Sequence, residues 1–279
     1  LTKVKKIFII LFMFIYQSCN ELPNYEECKS EMCNYLMKNA SYVHEINGFY
    51  IVSSDEIPTN EYGFNYTSLD IFNKVIKLFG SFLDQNNDGN IDQEYLKLNT
   101  GLSENLAFVI GHRDFVDKIT HKIESKYGVY GMGFFSDNWP YIPTYDGTGF
   151  VVNELNSSLW RPDHFDATLE ETFHTITEAF NRIDDDFKFS KVGYLRKLMD
   201  DDILDGTYDI SKQNNLENGN YDKITAVNEY IHQIWQINFS GQSNVLNTHQ
   251  KKVLDFMIKK EVPITFNPNY ELILGKRLK

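Results

Sequence analysis

The clearest strand pattern in the sequence is GFYIVS, residues 48–53. Aromatic and β-branched residues fill this stretch, and such a composition favours a pleated, half-buried strand. A second apolar run, Leu106–Ile110, predicts another short buried strand. Between the two strands, residues 68–83 place apolar side chains at steps of three and four, as an amphipathic helix does. This part of the chain therefore predicts a small mixed sheet with helices packed on it.

Downstream of these strands the chain is mainly helical. Helical periodicity predicts helices at 113–126, 167–183, 188–202, 221–239 and 247–260. Mixed strands and helices followed by mainly helices is an order typical of an α+β fold. A length of 279 residues with 42% hydrophobic residues supports a sizeable core. Since no linker or repeat interrupts the pattern, we expect one globular α+β domain over residues 45–279.

The charge of the chain excludes one class of function. Lys and Arg number 27 against 39 Asp and Glu, which gives a formal net charge of −12 with His neutral. A nucleic-acid binder needs a basic face to meet the phosphates, so we do not expect nucleic acid as a partner. An acidic surface suits metal cations and cationic partners, and it leaves the oligomeric state open.

The N-terminal residues predict export. Three lysines among the first six residues precede an apolar run over residues 7–16, which is too short for a bilayer span and typical of a signal peptide. We therefore expect residues 1–18 to be a signal peptide. Ser18, a small residue directly before Cys19, resembles the bacterial lipoprotein signal, in which the cysteine carries the lipid. That resemblance implies a cell-envelope lipoprotein held at the membrane by Cys19, with plain secretion and a retained anchor as the alternatives.

Two further cysteines lie in residues 19–44, which we expect to be a polar tether or a small capping segment. If Cys19 carries a lipid, Cys28 and Cys33 remain as a pair. In an oxidising compartment a short disulfide between Cys28 and Cys33 is expected, and two free thiols are the alternative.

The strongest local motif is DQNNDGNID, residues 84–92. It resembles the calcium-binding loop of EF-hand proteins, D-x-[DN]-x-[DN]-G-x-[ILV]-D. Alternate side chains of such a loop converge on one centre, where calcium takes about six to eight oxygen ligands. The glycine at loop position 6 permits the sharp turn. The candidate calcium ligands are Asp84, Asn86, Asp88, Asn90 and Asp92, with Asn90 contributing its backbone carbonyl.

The loop departs from the EF-hand pattern at its twelfth position. The family places a bidentate glutamate there, whereas this chain has Tyr95, with Glu94 one residue early. We therefore expect the EF-hand-like loop, residues 84–95, to bind calcium weakly or as a structural brace. A turn rich in Asn and Asp that binds no metal is the alternative.

A second motif lies on the helix predicted at 167–183. Glu170 and His174 are four positions apart, so their side chains reach the same side of the helix, and Glu171 follows the first of them. The pattern E-E-x-x-H resembles the zincin motif H-E-x-x-H with its first histidine replaced by glutamate. In zincins the outer residues bind zinc and the inner glutamate activates the bound water. The resemblance implies Glu170 and His174 as metal ligands and Glu171 as the general base.

A third ligand is expected from the helix predicted at 221–239, where Glu229 is the candidate and His232 the alternate. Its Asn228-Glu229 pair resembles the third-ligand segment of gluzincin metallopeptidases, and His232 lies one turn beyond Glu229. The motif Glu-x-x-His occurs once on each of the two helices, which also resembles the paired motifs of ferritin-like di-iron bundles. The remaining alternative is that these side chains form an ordinary polar helix face without a metal.

The order of these segments resembles a set of uncharacterised exported proteins from bacteria and algae, which pair an EF-hand-like calcium loop with a later E-E-x-x-H helix. The resemblance runs from about residue 46 to residue 240. The motifs together lead to one hypothesis: an exported, lipid-anchored, calcium-stabilised metallohydrolase of zincin type that uses zinc or another divalent metal. Peptide hydrolysis is the reaction that the zincin resemblance implies. The alternative is a non-enzymatic calcium-binding surface protein that binds a partner or polymer.

Overall fold

The computed structural model describes residues 28–55, 67–135, 167–212, 216–217, 220–239, 241–267 and 269–279. The predicted signal peptide, residues 1–18, and the candidate lipidation site Cys19 lie outside the described residues. Within the described ranges, no helix is both long enough and apolar enough to cross a membrane. Export and lipidation therefore stay predictions.

A five-stranded mixed sheet is built from the N-terminal half and one strand from the C-terminal end. The strands are β1 (Tyr42–Ile46), β2 (Phe49–Ser53), β3 (Leu106–Gly111), β4 (Tyr130–Phe135), β5 (Leu216–Glu217), β6 (Asn220–Tyr221) and β7 (Lys276–Arg277). The sheet order is β4-β3-β2-β1-β7, in which β2, β3 and β4 run parallel and β1 is antiparallel to both of its neighbours. β5 and β6 pair with each other separately. The predicted small mixed sheet is confirmed, and its two predicted strands are β2 and β3.

The C-terminal half is helical, as predicted. The helices are α1 (Glu31–Asn39), α2 (Ser68–Leu83), α3 (Leu96–Asn105), α4 (Arg113–Tyr127), α5 (Ala167–Ile183), α6 (Tyr194–Leu204), α7 (Lys223–Phe239) and α8 (Thr248–Lys259). The bounds of α2 and α5 are those predicted, and α4, α7 and α8 differ from prediction by at most two residues at either end.

The helix predicted at 188–202 begins later than expected, at Tyr194. The chain closes a turn first, in which the Gly193 N–H donates to the Ser190 carbonyl at 2.8 Å. A Cβ atom at Gly193 would lie 1.7 Å from the Lys188 carbonyl oxygen, so the backbone passes too close there for any side chain. The turn therefore depends on glycine, and the helix starts after it.

Residues 31–44 belong to the folded body and are not a tether. α1 buries Cys33 and Leu36 to 1% exposure or less, and β1 pairs with β2 along its length. This helix has only nine residues, which are too few for a clear helical periodicity. It begins at the N-cap Ser30, whose side chain accepts the Cys33 N–H at 3.0 Å. A disulfide joins Cys28 to Cys33 across the start of the helix.

Helices cover both faces of the sheet. On one face, α1 and α4 pack against side chains that include Val52 and Val109. On the other face, α2, α3 and α5 pack against the side of the sheet that includes Ile51 and Phe108, and the helices that follow extend the same core. β2 and β3 are buried along their whole lengths, as parallel strands covered on both faces are.

One buried carboxylate, Asp202 of α6, ties the C-terminal helices together. Its oxygens accept hydrogen bonds from Tyr230 Oη at 2.7 Å, Asn247 Nδ2 at 3.0 Å and Gln250 Nε2 at 3.0 Å, and His249 Nδ1 lies 2.9 Å away. A buried carboxylate is costly without partners, so these contacts hold α6, α7 and the start of α8 in one arrangement.

We expect Asp202→Ala to lower the free energy of unfolding by about 3–5 kcal/mol, because it leaves several buried donors without an acceptor. The matched control Asp205→Ala changes an exposed carboxylate just after the same helix. It should alter the free energy of unfolding by less than about 0.5 kcal/mol. Urea unfolding followed by circular dichroism measures both variants, and equal stabilities would contradict the structural role of Asp202.

Candidate metal centre

Two neighbouring helices, α5 and α7, place the predicted ligands. The apolar stripe of α5 packs into the core, which leaves Glu170 and His174 on the side that faces α7. Glu170 lies opposite His232, and His174 lies opposite Glu229, so the two helices run antiparallel at this point. The structure thus brings together all four side chains that the sequence predicts as ligands.

These four side chains form one close group. His174 Nε2 lies 3.5 Å from Glu229 Oε2, and His232 Nδ1 lies 3.6 Å from Glu170 Oε1. One ligand atom from each residue lies within 4.8 Å of every other. Four ligands placed tetrahedrally at a zinc bond length of about 2.1 Å are roughly 3.4 Å apart, so the two close contacts already match that spacing. A buried Glu/His/Glu/His group that could hold a metal ion is therefore present.

Burial sets the protonation of this group. His174 and His232 are 5% and 2% exposed, and the Nε2 atom of each has no hydrogen-bond partner within the described part of the chain. Burial lowers the pKa of His174 to about 3, and burial together with His174 lowers the pKa of His232 well below its usual value. Burial also raises the pKa of Glu229 to about 7. Without a cation these three side chains favour their neutral forms, and a metal ion would supply the missing positive charge.

An aromatic wall closes the inner side of the group. Phe173 stacks on Trp235 with ring centroids 4.0 Å apart and planes 10° from parallel. The His232 ring lies against both, with centroids 6.1 Å from Phe173 and 5.9 Å from Trp235. The ring of His174 meets that of His232 edge to face at 4.8 Å. The wall therefore restricts the orientation of the imidazoles and shields the inner ligands from water.

A cavity of 660 Å³ opens on the other side of the group. α5 and α7 form two of its walls, and the first residues of β4 form the wall that faces them. Glu171, His174 and Glu229 line this cavity, whereas Glu170 and His232 are not among its described lining residues. The side of the site that a ligand can reach is therefore the side of Glu171.

Glu171, the predicted general base, lies at the edge of the metal group. Its Oε2 is 3.9 Å from His174 Nδ1, and its side chain is 27% exposed. Burial, and after it the charge of Glu229, raises the pKa of Glu171 to about 8. A carboxyl group so placed can take up or release a proton beside a bound ion.

Sequence reasoning missed two features of the site. One is the wall that β4 contributes, since nothing in the sequence of β4 indicates its distance from α5. The other is a hydrogen bond between the helices, in which Thr177 Oγ1 donates to Asn228 Oδ1. The position of Asn228 directly before the predicted ligand Glu229 was the signal that could have drawn attention to it.

The EF-hand-like loop lies between two helices, of which the first was predicted and the second was not. α2 ends at Leu83, and a short 3-10 turn at Gln93–Tyr95 leads into α3. The Asp84 carboxylate accepts the backbone N–H groups of Asp88 at 3.0 Å and Gly89 at 2.9 Å. Gly89 has a φ of +84°, a conformation that glycine adopts without strain.

The remaining loop side chains point into the same turn. Asp92 accepts hydrogen bonds from the Gln85 N–H at 2.8 Å and from Asn86 Nδ2 at 2.6 Å. The Asn90 N–H donates to Asp88 Oδ1 at 2.9 Å. At the twelfth position Tyr95 is buried, and this burial followed by the charge of Glu94 raises its pKa to about 12, so it offers no anionic ligand. Calcium binding itself stays a prediction.

Comparison of the chain with protein-family models, with curated proteins and with solved structures found no match. The metal group and the cavity beside it are therefore the observations that bear on function.

We expect the protein to bind one transition-metal ion at this group and His174→Ala to lose it. Removal of a residue that only hydrogen-bonds to a metal ligand already lowers metal affinity by about 10–100-fold, so removal of a ligand itself should lower it further. Metal analysis of EDTA-treated protein reconstituted with zinc measures the content. His121→Ala, which removes an exposed histidine of α4, is the matched control and should keep the ion. Full zinc content in His174→Ala would rule out this ligand set.

Proposed function

We propose that this protein is a metal-dependent hydrolase in which Glu170, His174 and Glu229 hold the metal, with His232 as an alternate ligand, so that one coordination position stays open for water. One observation carries the proposal: a buried four-ligand group, a further carboxylate and a cavity meet at the same point. A metal site that only stabilises a fold needs neither the additional carboxylate nor the cavity.

The ligand set favours zinc or another divalent transition metal. Imidazole nitrogens suit zinc, iron, copper and nickel, and carboxylate oxygens extend the range towards harder ions. Two ionised glutamates and two neutral histidines carry two negative charges, which a divalent cation neutralises. When bound, such an ion acts as a Lewis acid and lowers the pKa of a coordinated water.

Glu171 is the proposed general base. It faces the cavity beside His174, and its carboxylate can accept the proton of the attacking water and return it to the leaving group. A cation in the neighbouring group favours the ionised form of Glu171, which opposes the effect of burial and of Glu229. Proton transfer by a positioned side chain contributes about 10²–10⁴-fold to a rate.

Peptide bonds are the proposed target, and a short segment of chain fits the cavity. Its volume of 660 Å³ falls within the range of about 300–1,000 Å³ that is usual for small-molecule sites. Tyr130 and Ile224 line it and are 41% and 54% exposed, so they offer apolar contacts to substrate side chains. The E-E-x-x-H arrangement supports hydrolysis of an amide over other reactions of the same ligand set.

We further propose that the loop at residues 84–92 binds calcium as a brace for the fold. Tyr270 Oη donates to Asp84 Oδ2 at 2.8 Å, which ties the loop to the C-terminal segment. Because Tyr95 replaces the bidentate glutamate, we expect a dissociation constant of about 10⁻⁴–10⁻³ M, as in extracellular modules. Such an affinity suits the exported, lipid-anchored location that the signal peptide and Cys19 predict.

A non-enzymatic role is the second candidate. Four protein ligands complete a tetrahedral sphere, as they do in structural zinc sites. In that case the protein is a metal-stabilised surface protein that binds a partner or polymer, and it turns over no substrate.

We expect the zinc-loaded protein to cleave members of a short-peptide library and Glu171→Gln to lower kcat by about 10²–10⁴-fold, because the amide cannot accept a proton. Mass spectrometry of the library and metal analysis measure rate and zinc content. Zinc content should not change in Glu171→Gln. Glu104→Gln, on the exposed side of α3, is the matched control. A protein with full zinc content that cleaves no peptide would favour the non-enzymatic role. An unchanged cleavage rate in Glu171→Gln would exclude Glu171 as the general base.

Calcium at 10 mM should stabilise the protein by about 1.4 kcal/mol if the dissociation constant is about 1 mM. That corresponds to a rise in Tm of about 3–5 °C for a chain of this size. Asp88→Ala removes one candidate ligand and should abolish the shift, whereas Asp117→Ala on the exposed side of α4 should keep it. Thermal unfolding with calcium or magnesium chloride is the measurement. Equal Tm values with the two salts would argue against a calcium brace.

A further inference from the structure

Asn228 lies directly before the candidate ligand Glu229 on α7 and lines the cavity. Its Oδ1 accepts a hydrogen bond from Thr177 Oγ1 of α5. Thr177 is 1% exposed, and its hydroxyl also lies 3.1 Å from the carbonyl oxygens of Phe173 and His174, so α5 holds it in place. The hydroxyl has one proton, and Asn228 Oδ1 is the nearest of the three oxygens around it, so the contact with Thr177 orients the Asn228 amide.

The orientation of this amide leaves its N–H groups for a ligand. The oxygen and nitrogen of a carboxamide point in different directions, so an oxygen turned towards Thr177 turns Asn228 Nδ2 away from it. Within the described residues, Nδ2 donates to no protein acceptor. A donor beside Glu229 on the cavity wall is thus available to an oxygen that enters the site.

We propose that Asn228 Nδ2 donates a hydrogen bond to the carbonyl oxygen of the amide under attack. This inference rests on the proposed function. As water attacks, a C–O bond forms, the π electron pair of the carbonyl moves to its oxygen, and the water proton goes to Glu171. The C–N bond then breaks, and the amine leaves with the proton that Glu171 returns. A preorganised donor that points at the oxygen stabilises its developing charge.

Thr177 acts in this proposal as a positioning residue, because it touches Asn228 and not the substrate. Without its hydroxyl the amide can rotate, and Nδ2 no longer keeps the position that the contact with Thr177 gives it. Loss of the orienting contact should therefore cost less than loss of the amide itself.

Binding of acetohydroxamate to the cobalt-loaded protein tests the donor without turnover. The probe presents a carbonyl oxygen to the metal site, and the visible spectrum of Co²⁺ reports both metal occupancy and probe binding. We expect Asn228→Ala to weaken the probe Kd by about 10-fold and Thr177→Val by about 3-fold, with the Co²⁺ Kd within about twofold of wild type. Asn34→Ala on α1 is the matched control and should leave both constants unchanged.

The variant Asn228→Asp distinguishes two roles of Asn228, a hydrogen-bond donor to the probe and a structural contact of Thr177. Aspartate keeps an oxygen that can accept from Thr177 but has no N–H group, so the proposal predicts at least the loss seen in Asn228→Ala. Wild-type probe binding in Asn228→Asp would overturn the proposal, as would wild-type binding in Asn228→Ala. If Asn228→Ala loses cobalt, Asn228 supports the metal ligands rather than binding the probe, and the proposal is overturned as well. If the wild-type protein binds no cobalt, the proposed function itself is overturned. If it binds cobalt but substitution of Asn228 leaves the probe Kd unchanged, only the role of Asn228 is overturned.

Discussion

The stacked contact between Phe173 of α5 and Trp235 of α7 is the interaction on which the site depends. The rings lie 4.0 Å apart and nearly parallel, and aromatic side chains of this size each bury about 150–250 Å². His174 follows Phe173 in the chain, and His232 precedes Trp235 by one helical turn. Burial of the aromatic pair therefore forces both imidazoles into the same seam between the helices. Hydrophobic packing brings the ligands together independently of any metal.

The same burial makes the group electrostatically expensive. Burial, and after it the charge of Glu229, raises the pKa of Glu171 to about 8, so its charged form is disfavoured without a cation. A domain is stable by only about 5–15 kcal/mol, so an uncompensated cluster of this kind is a large burden on the fold. Asp202 shows how this chain otherwise treats a buried carboxylate, since its oxygens accept several hydrogen bonds. The Nε2 atoms of His174 and His232 have no hydrogen-bond partner within the described residues, which supports the proposal that the group holds a cation.

Periodicity could predict the elements of the fold but not how they meet. Residues 68–83 and 167–183 repeat apolar side chains at helical steps over their whole length, so their bounds follow from the sequence, and the spacing of Glu170 and His174 places them on one side of α5. α1 was not predicted because nine residues are too few for a clear helical periodicity. The pairing of His174 with Glu229 depends on the antiparallel packing of α5 and α7, a long-range result of core packing. The motif on α7 suggested that partner but could not place it. For the contact between Thr177 and Asn228, the only signal in the sequence was the position of Asn228 directly before Glu229.

The EF-hand-like loop and the metal group are built on one aromatic core. Phe82, near the end of α2, lies 6.3 Å from Phe173 and 6.1 Å from Trp235 between ring centroids. The loop begins two residues later at Asp84, whose carboxylate Tyr270 holds from the C-terminal segment. Whatever orders the loop therefore also orders the end of α2 and, through Phe82, the wall behind the metal ligands. The proposed calcium ion would thus act on the metal site through packing alone, which gives a physical reason for the two motifs to occur in the same chain.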